Sequence, residues 1–380
     1  MKDLLRQEVS TAAHTIVVKV GTRVLTHANG TLNLSRISCL AEEICELIER
    51  GRRMVLVSSG AVGAGMSQLG LRERPHDVAQ LQAVAAVGQA RLIEAYDGTF
   101  RKHGHTAAQV LLTADDVDHR TRYLNVRNTI RALLDYRAVP IINENDTVAV
   151  DELVATFGDN DRLAALLTNL LRAPLLVILS DVEGLFTGAP DHPDSRLVST
   201  VTEIDSTVLS YVQRRGSGPG KGGMASKLNA ARIVTTAGEN VIIASGRQPG
   251  VLRQIADGHL VGTLVLAHGK SISARKRWIG FSAQSCGNLI VDAGARDAIV
   301  KQGRSLLAIG IVRTEGAFQK GDLVTVSDGE GAEIARGLTN YHAQDIERIK
   351  GLHSDRFAQV LGHRPYEEVI HRDNMAVLTH

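Results

Sequence analysis

The chain has 380 residues, a formal net charge of +2 and 44% hydrophobic side chains. That is too long for one ordinary core and reads as two domains, one of them large. So balanced a charge gives no support to a nucleic-acid footprint over the whole molecule, and leaves small acidic metabolites as candidate ligands. Cys39, Cys45 and Cys286 lack the paired spacing of a zinc site or a disulfide framework, which points to a reducing compartment. No stretch reaches the roughly 18 apolar residues of a membrane span, so a cytoplasmic protein with no membrane partner is expected.

In chain order, the β-branched runs "TIVVKV", "RMVLVSS", "AAQVLLT", "AVPIINEND", "APLLVILSD" and "NVIIASG" alternate with helical patterns. Nearly continuous apolar strands separated by amphipathic helices belong in a buried, mostly parallel sheet covered on both faces. The segment "SRISCLAEEICELIERG" has apolar residues at helical spacing and closes on Gly51. This is a doubly wound α/β core, in which ligands sit beyond the carboxyl ends of the strands. After Gly262 the pattern changes. Short Val-rich segments broken by Gly and Asp from Gly287 onward indicate a small, mainly β domain. The expected division is 1–262, a linker over 263–284, and a second domain over 285–370.

Four stretches are candidates for chemistry. Lys19, inside the first apolar strand, is costly to bury unless a counter-charge or ligand meets it, and Gly21 lets the backbone approach something closely. The alternative is a lysine snorkelling from a sheet edge. In "SSGAVGAG", Gly60, Gly63 and Gly65 at a strand-to-helix junction free amides to face an anion, and Ser58 and Ser59 cap the helix or donate to a carboxylate. The clusters "NEND", ending on Asp146, and "GDND", holding Asp159, Asn160 and Asp161, either cap turns and helices or hold a ligand. The stretch "GSGPGKGGMASKL" fails as a Walker motif, because Gly222 follows Gly220-Lys221 where Ser or Thr is needed. It remains a glycine loop leading into a helix that offers Lys227 to phosphate oxygens. Two lysines, glycine loops and an acid-and-amide cluster look like ATP-dependent phosphoryl transfer.

Taken in order, "VVKVGTRVLT", "SSGAVGAG", "PIINENDTV", "GDNDRLAAL", "SDVEGLFT", "KGGMASKL" and "GTLVLAHGKSISARKRWI" resemble the glutamate 5-kinase family of the amino acid kinase superfamily, over nearly the whole chain. The resemblance implies an αβα sandwich around a mostly parallel sheet, with a small mainly β C-terminal PUA domain. It implies phosphorylation of the γ-carboxylate of L-glutamate by ATP with Mg²⁺, the first step of proline biosynthesis. Carried over by position, Lys19 and Lys227 match the lysines on the ATP phosphates, and Asp161 the acid that orients them. Ser59, Asp146 and Asn160 match glutamate-binding positions. Gly21, Ser180, Asp181 and the loop of Lys221, Gly222, Gly223, Met224, Ala225, Ser226 and Lys227 match nucleotide contacts, with no metal ligand of the protein's own. The family usually has Thr where this chain has Lys221, which adds a charge beside the expected phosphates, and Ala where it has Gly63.

The chemistry agrees with these roles. A γ-carboxylate, which titrates near pH ~4.3 in water, is ionised at neutral pH and needs no general base, and the chain offers no convincing histidine for one. Asp146 suits the substrate's α-ammonium, and Ser59 and Asn160 can donate to its α-carboxylate. The resemblance further implies feedback inhibition by L-proline at an overlapping site, a homo-oligomer, and a functional partnership with γ-glutamyl phosphate reductase. Other amino acid kinases, acting on aspartate, acetylglutamate, carbamate or a nucleoside monophosphate, are the competing enzymes. RNA binding, suggested by Arg275, Lys276 and Arg277 beside Trp278, is set aside as the main activity and left open for the extra domain.

Overall fold

All six residues of strand β1 (Thr15–Val20) are buried, as a strand covered on both faces requires. In the computed structural model, which describes residues 3–27, 29–113, 116–117, 119–148, 160–213, 223–267, 279–280, 284–362 and 366–378, β1 is the centre of an eight-stranded sheet. The other strands are β2 (Arg53–Ser58), β3 (Thr106–Leu112), β4 (Ala138–Glu144), β5 (Leu175–Ser180), β6 (Thr200–Val201), β7 (Asn240–Ser245) and β8 (Thr263–Val265). Their order is β3-β4-β2-β1-β5-β7-β8-β6. Every pairing is parallel except β7 with β8. The six sequence-predicted strands are all present. The two that periodicity missed, β6 and β8, are two and three residues long, too short to show a repeat. β8 also carries the sheet beyond Gly262, into the segment expected to be linker.

Helices cover the sheet where the sequence alternates with helical period. The helix Leu34–Glu49 is capped by the Asn33 side chain, which accepts from the Arg36 amide, and it buries Ile37, Leu40, Ala41, Ile44 and Leu47. These pack with Ile16, Val18, Leu56 and Val177 in one core cluster. Each such apolar side chain contributes about 1.5–3 kcal/mol on leaving water.

A second compact unit comprises Asp118–Arg120 and Ile272–His380, the first being Met1–Val117 and Thr121–Ser271. Its five-stranded sheet has the order β10-β9-β11-β12-β13, with β9 at Gly287–Val291, β10 at Ile311–Gly316, β11 at Leu323–Ser327, β12 at Glu333–Leu338 and β13 at Met375–Val377. Only β11 with β9 is parallel. The last strand lies past residue 370, and helices at Ala293–Val300 and Ala343–Ile349 add to the expected strands and turns.

One contact places the loop after β2. The helix Ala61–Gln68 crosses the long helix Val78–Lys102 so closely that a Cβ on Gly88 would lie 1.8 Å from the Ala61 carbonyl oxygen. A Cβ on Gly65 would lie 1.8 Å from the Val84 carbonyl oxygen. Neither backbone can yield without moving Gly60 and Ala61. Gly88→Ala is therefore expected to destabilise the chain by about 2–3 kcal/mol, read as a lower urea midpoint at unchanged slope. An unchanged midpoint would show that the helices are not held this close.

Candidate active site

Lys19 is near the end of β1, with β2 on one side and β5 on the other. It is therefore central, and the edge-snorkelling alternative does not apply. With only 6% of its surface exposed, its ammonium needs a partner, and Lys19 Nζ lies 2.6 Å from Asp161 Oδ1. Asp161 is in the first turn of the helix Asn160–Leu171, where a carboxylate is favoured by the helix dipole. Its other oxygen meets Lys227 Nζ at 3.2 Å and the Ser226 hydroxyl at 2.7 Å. Both come from the helix Met224–Thr236. Burial alone would raise the Asp161 pKa, but the charges of the two lysines and the hydrogen bonds from Lys19 and Ser226 hold it below the usual aspartate value. All three charged side chains are buried, and among the described residues the contacts of Asp161 set two cations against one anion.

Asn160 begins the same helix and joins it to the glycine loop. Its Nδ2 donates to Ser59 Oγ at 2.9 Å, Asn143 Oδ1 at 3.1 Å and the Ser58 carbonyl at 3.3 Å. Its Oδ1 is buried with no hydrogen-bond partner among the described residues. Gly60, at φ 106°, turns the chain from β2 into the helix Ala61–Gln68, whose N-terminus has no side-chain cap, so its amides are open to an anion. Ser59, Gly60, Asn143, Glu144, Asp146 and Asn160 line one cavity of about 270 Å³. Burial pushes the Asp146 carboxyl up to about 6, while the Gln89 side chain and the Arg74 charge pull it the other way.

On the far side of β1, Gly21 donates its amide to the Leu179 carbonyl of β5, which leads to Ser180 and Asp181. The Asp181 carboxylate accepts from Ser180 Oγ and from Arg23 Nη1, each at 3.2 Å. Burial would raise its pKa, and the Arg23 hydrogen bond is the largest of the effects that lower it below the usual value. Gly223 caps the helix that carries Ser226 and Lys227, with Met224 buried and Ala225 exposed. Lys221, Gly222 and Asp159, like the basic stretch at 275–278, lie outside the described residues.

The predicted residues thus form two neighbouring groups: Lys19, Asp161, Ser226 and Lys227, and the cavity of Ser59, Asp146 and Asn160. Asn160 and Asp161, adjacent in sequence, link them. Three contributors had no assigned role: Asn143 and Glu144 at the end of β4, and Arg74 between the two crossed helices. The first two sit in the flagged "NEND" cluster, whereas nothing in "LRERPHD" marks Arg74. A larger cavity of about 590 Å³, lined by Leu32, Leu34, Ala64, Arg91 and Glu94 among others, offers no comparable chemistry. Its charged groups among the described residues, Arg91 and Glu94, are paired with each other at 2.5 Å.

The comparisons with known proteins identify the family. Residues 14–245 match the amino acid kinase family and residues 287–361 the PUA domain. A glutamate 5-kinase of Rhodopirellula baltica is 47% identical over 98% of this chain and 96% of its own length. One from a Thermoanaerobacter species is 47% identical over 96% of the chain and 97% of its own. One from a Geobacter species is 44% identical over 98% and 100%. Among solved structures, carbamate kinase from Giardia lamblia bound to AMP-PNP is 21% identical over 68% of this chain and 100% of its own, with a TM-score of 0.49. Near-full-length identity at this level, on a chain whose site lies within the matched kinase region, means that the chain belongs to the glutamate 5-kinase family.

Proposed function

We propose that the chain transfers the γ-phosphoryl group of ATP to the γ-carboxylate of L-glutamate, giving L-glutamyl 5-phosphate in the first step of proline biosynthesis. Beyond the family, one observation carries this reading: the buried Lys19–Asp161–Lys227 cluster, which brings two lysines to one carboxylate and is joined to a small polar cavity through Asn160. The bond between the γ-phosphorus and the β,γ-bridging oxygen breaks, a bond to a carboxylate oxygen forms, and ADP leaves. No proton moves, because the attacking carboxylate is already ionised. What opposes reaction is the approach of one anion to another. Lys19 and Lys227 lie along the phosphates and balance the charge of the transferring group. Asp161, with both oxygens engaged, fits the role of holding the lysines and not that of a metal ligand. Mg²⁺, carried on the nucleotide's phosphates, would supply further neutralisation. Gly21, Ser180, Asp181 and the loop from Lys221 to Lys227 form the nucleotide side.

In the cavity, Asp146 and the Asn160 Oδ1 atom meet the α-ammonium. The Asn160 amide donors, which the sequence suggested for the α-carboxylate, are already given to Ser58, Ser59 and Asn143. Ser59 accepts from Asn160 and keeps its own hydroxyl hydrogen for the carboxylate. L-proline, with the same two α-groups, would compete here as a feedback inhibitor. The labile acyl phosphate calls for close coupling to γ-glutamyl phosphate reductase, in a homo-oligomeric cytoplasmic enzyme.

Acyl phosphate formation, trapped with hydroxylamine, should occur with L-glutamate and not with aspartate or N-acetylglutamate. In Lys227→Ala its kcat should fall about 10²- to 10³-fold. Equal turnover of all three acids, or an undiminished variant, overturns the reading.

Asp146→Asn has two effects of opposite sign. Its carboxyl rises from 3.8 to about 6 on folding, so the ionised group costs stability. The cost is absent well below the unfolded value and fully present above about 6, on the order of 2 kcal/mol after discounting for solvent. The variant should therefore be more stable at pH 7.5 in urea while its KM for glutamate rises at least about tenfold and that for ATP does not. In the wild type, the glutamate KM should climb as pH falls below about 6, a limb absent in the variant. A variant that loses stability, or raises both KM values alike, contradicts this assignment.

A further inference from the structure

Given the glutamate reading, on which this inference rests, we propose that Arg74 selects the substrate by its α-carboxylate. Its guanidinium grips that carboxylate while neighbouring Asp146 takes the α-ammonium. Charge balance in the cavity calls for such a cation. Among the described residues, the lining carries two acids, Glu144 and Asp146, and a single cation, Arg74. Lys19 and Lys227 are not part of that lining, and both are held by Asp161 on the phosphate side. A dicarboxylic amino acid brings two negative groups and one positive. Its γ-carboxylate must point toward the lysines for transfer, so the α-carboxylate is left among the residues of the cavity. Without Arg74 it would meet two acids and only neutral donors, such as the Ser59 hydroxyl, the threonine hydroxyls of the lining and the helix amides after Gly60.

Position supports the same role. Arg74 lies in the connection between the helices Ala61–Gln68 and Val78–Lys102, an exposed segment that reaches the cavity, and its charge acts on Asp146. An Arg beside an Asp is the complement of an amino acid's α-carbon, which presents a carboxylate beside an ammonium. The planar fork of the guanidinium matches a carboxylate through two parallel hydrogen bonds, which a lysine cannot reproduce. Before substrate arrives, the Arg74 charge offsets that of Asp146. Afterwards each takes the opposite group of the zwitterion, so the cavity never holds two bare acids.

The competing role for Arg74 is purely local, holding Asp146 and touching no substrate. Glutamate α-amide separates the two, because it keeps the ammonium and the γ-carboxylate but has no α-carboxylate. In Arg74→Leu the KM for L-glutamate should rise about 10- to 100-fold, the value of one charged hydrogen-bond pair, with the KM for ATP unchanged. Arg74→Lys should recover part of the loss. The α-amide should bind weakly to wild type and no more weakly to Arg74→Leu. If the α-amide loses as much as glutamate does, or if the glutamate KM does not move, the inference fails. Protection against thermal unfolding by L-glutamate, measured alongside turnover, keeps the two readings apart. A wild type that is protected but makes no acyl phosphate would sink the activity, and the loss of that protection in Arg74→Leu would still sustain the carboxylate grip.

Discussion

A carboxylate buried between two lysines organises this molecule. Asp161 draws Lys19 from the central strand and Lys227 from the helix Met224–Thr236, so three elements far apart in sequence meet at one point. Burying such a group is not an efficient way to stabilise a fold, since the desolvation of three charges offsets much of their mutual attraction. Apolar residues of similar volume would serve folding at least as well. What they would not do is hold two lysine ammonium groups at one point of low dielectric, where charges act most strongly. That is the arrangement on which the proposed phosphate side rests.

The rest of the kinase unit holds that cluster in register with the cavity. β1, β2, β4 and β5 end side by side, and each leads into residues of the candidate site: Gly21, Ser59 and Gly60, Asp146, Asp181. β1 sits where the chain order of the sheet reverses, with β2 and β5 on either side, and such a reversal opens a crevice at the carboxyl edge. The glycines at 65 and 88 then let two helices touch backbone to backbone, and thus fix the height at which the Gly60 turn presents its amides. Packing chosen for closeness sets where those amides stand.

Much of this could be read from residues alone, for reasons that also explain the omissions. Six strands were legible because each is a mostly apolar run of six or seven residues. β6 and β8 were not, because two or three residues on the outer part of the sheet carry no period. Lys19 was ambiguous in one dimension: a lysine in a strand is functional if the strand is central and trivial if it is at an edge, and only strand order decides. For Asn160 the residue type and position were legible but not the direction of its hydrogen bonds, which is set by Ser58 and Asn143, distant in the chain. Arg74 was invisible. It comes from a charged connection between helices, where arginine is the usual solvated choice, and its meaning depends on Asp146, more than seventy residues away.

Two aspartates in neighbouring parts of one site are driven in opposite directions. Asp161, with two cations against it, is held ionised, whereas Asp146, buried with weaker compensation, is raised to about 6. In many enzymes such a divergence separates an acid from a base. Here no proton needs to move, so the divergence has another use. Asp161 is already satisfied before the nucleotide arrives and serves as scaffold. Asp146 is buried against only the Gln89 side chain and the Arg74 charge, so on the proposed reading an incoming ammonium would relieve it. The Asn160 oxygen, buried without a donor among the described residues, would gain in the same way. On that reading a substrate without the free ammonium, such as an N-acylated acid, would meet the same desolvated groups without relieving them, and the cost of leaving them unpaired discriminates more sharply than a lost attractive contact.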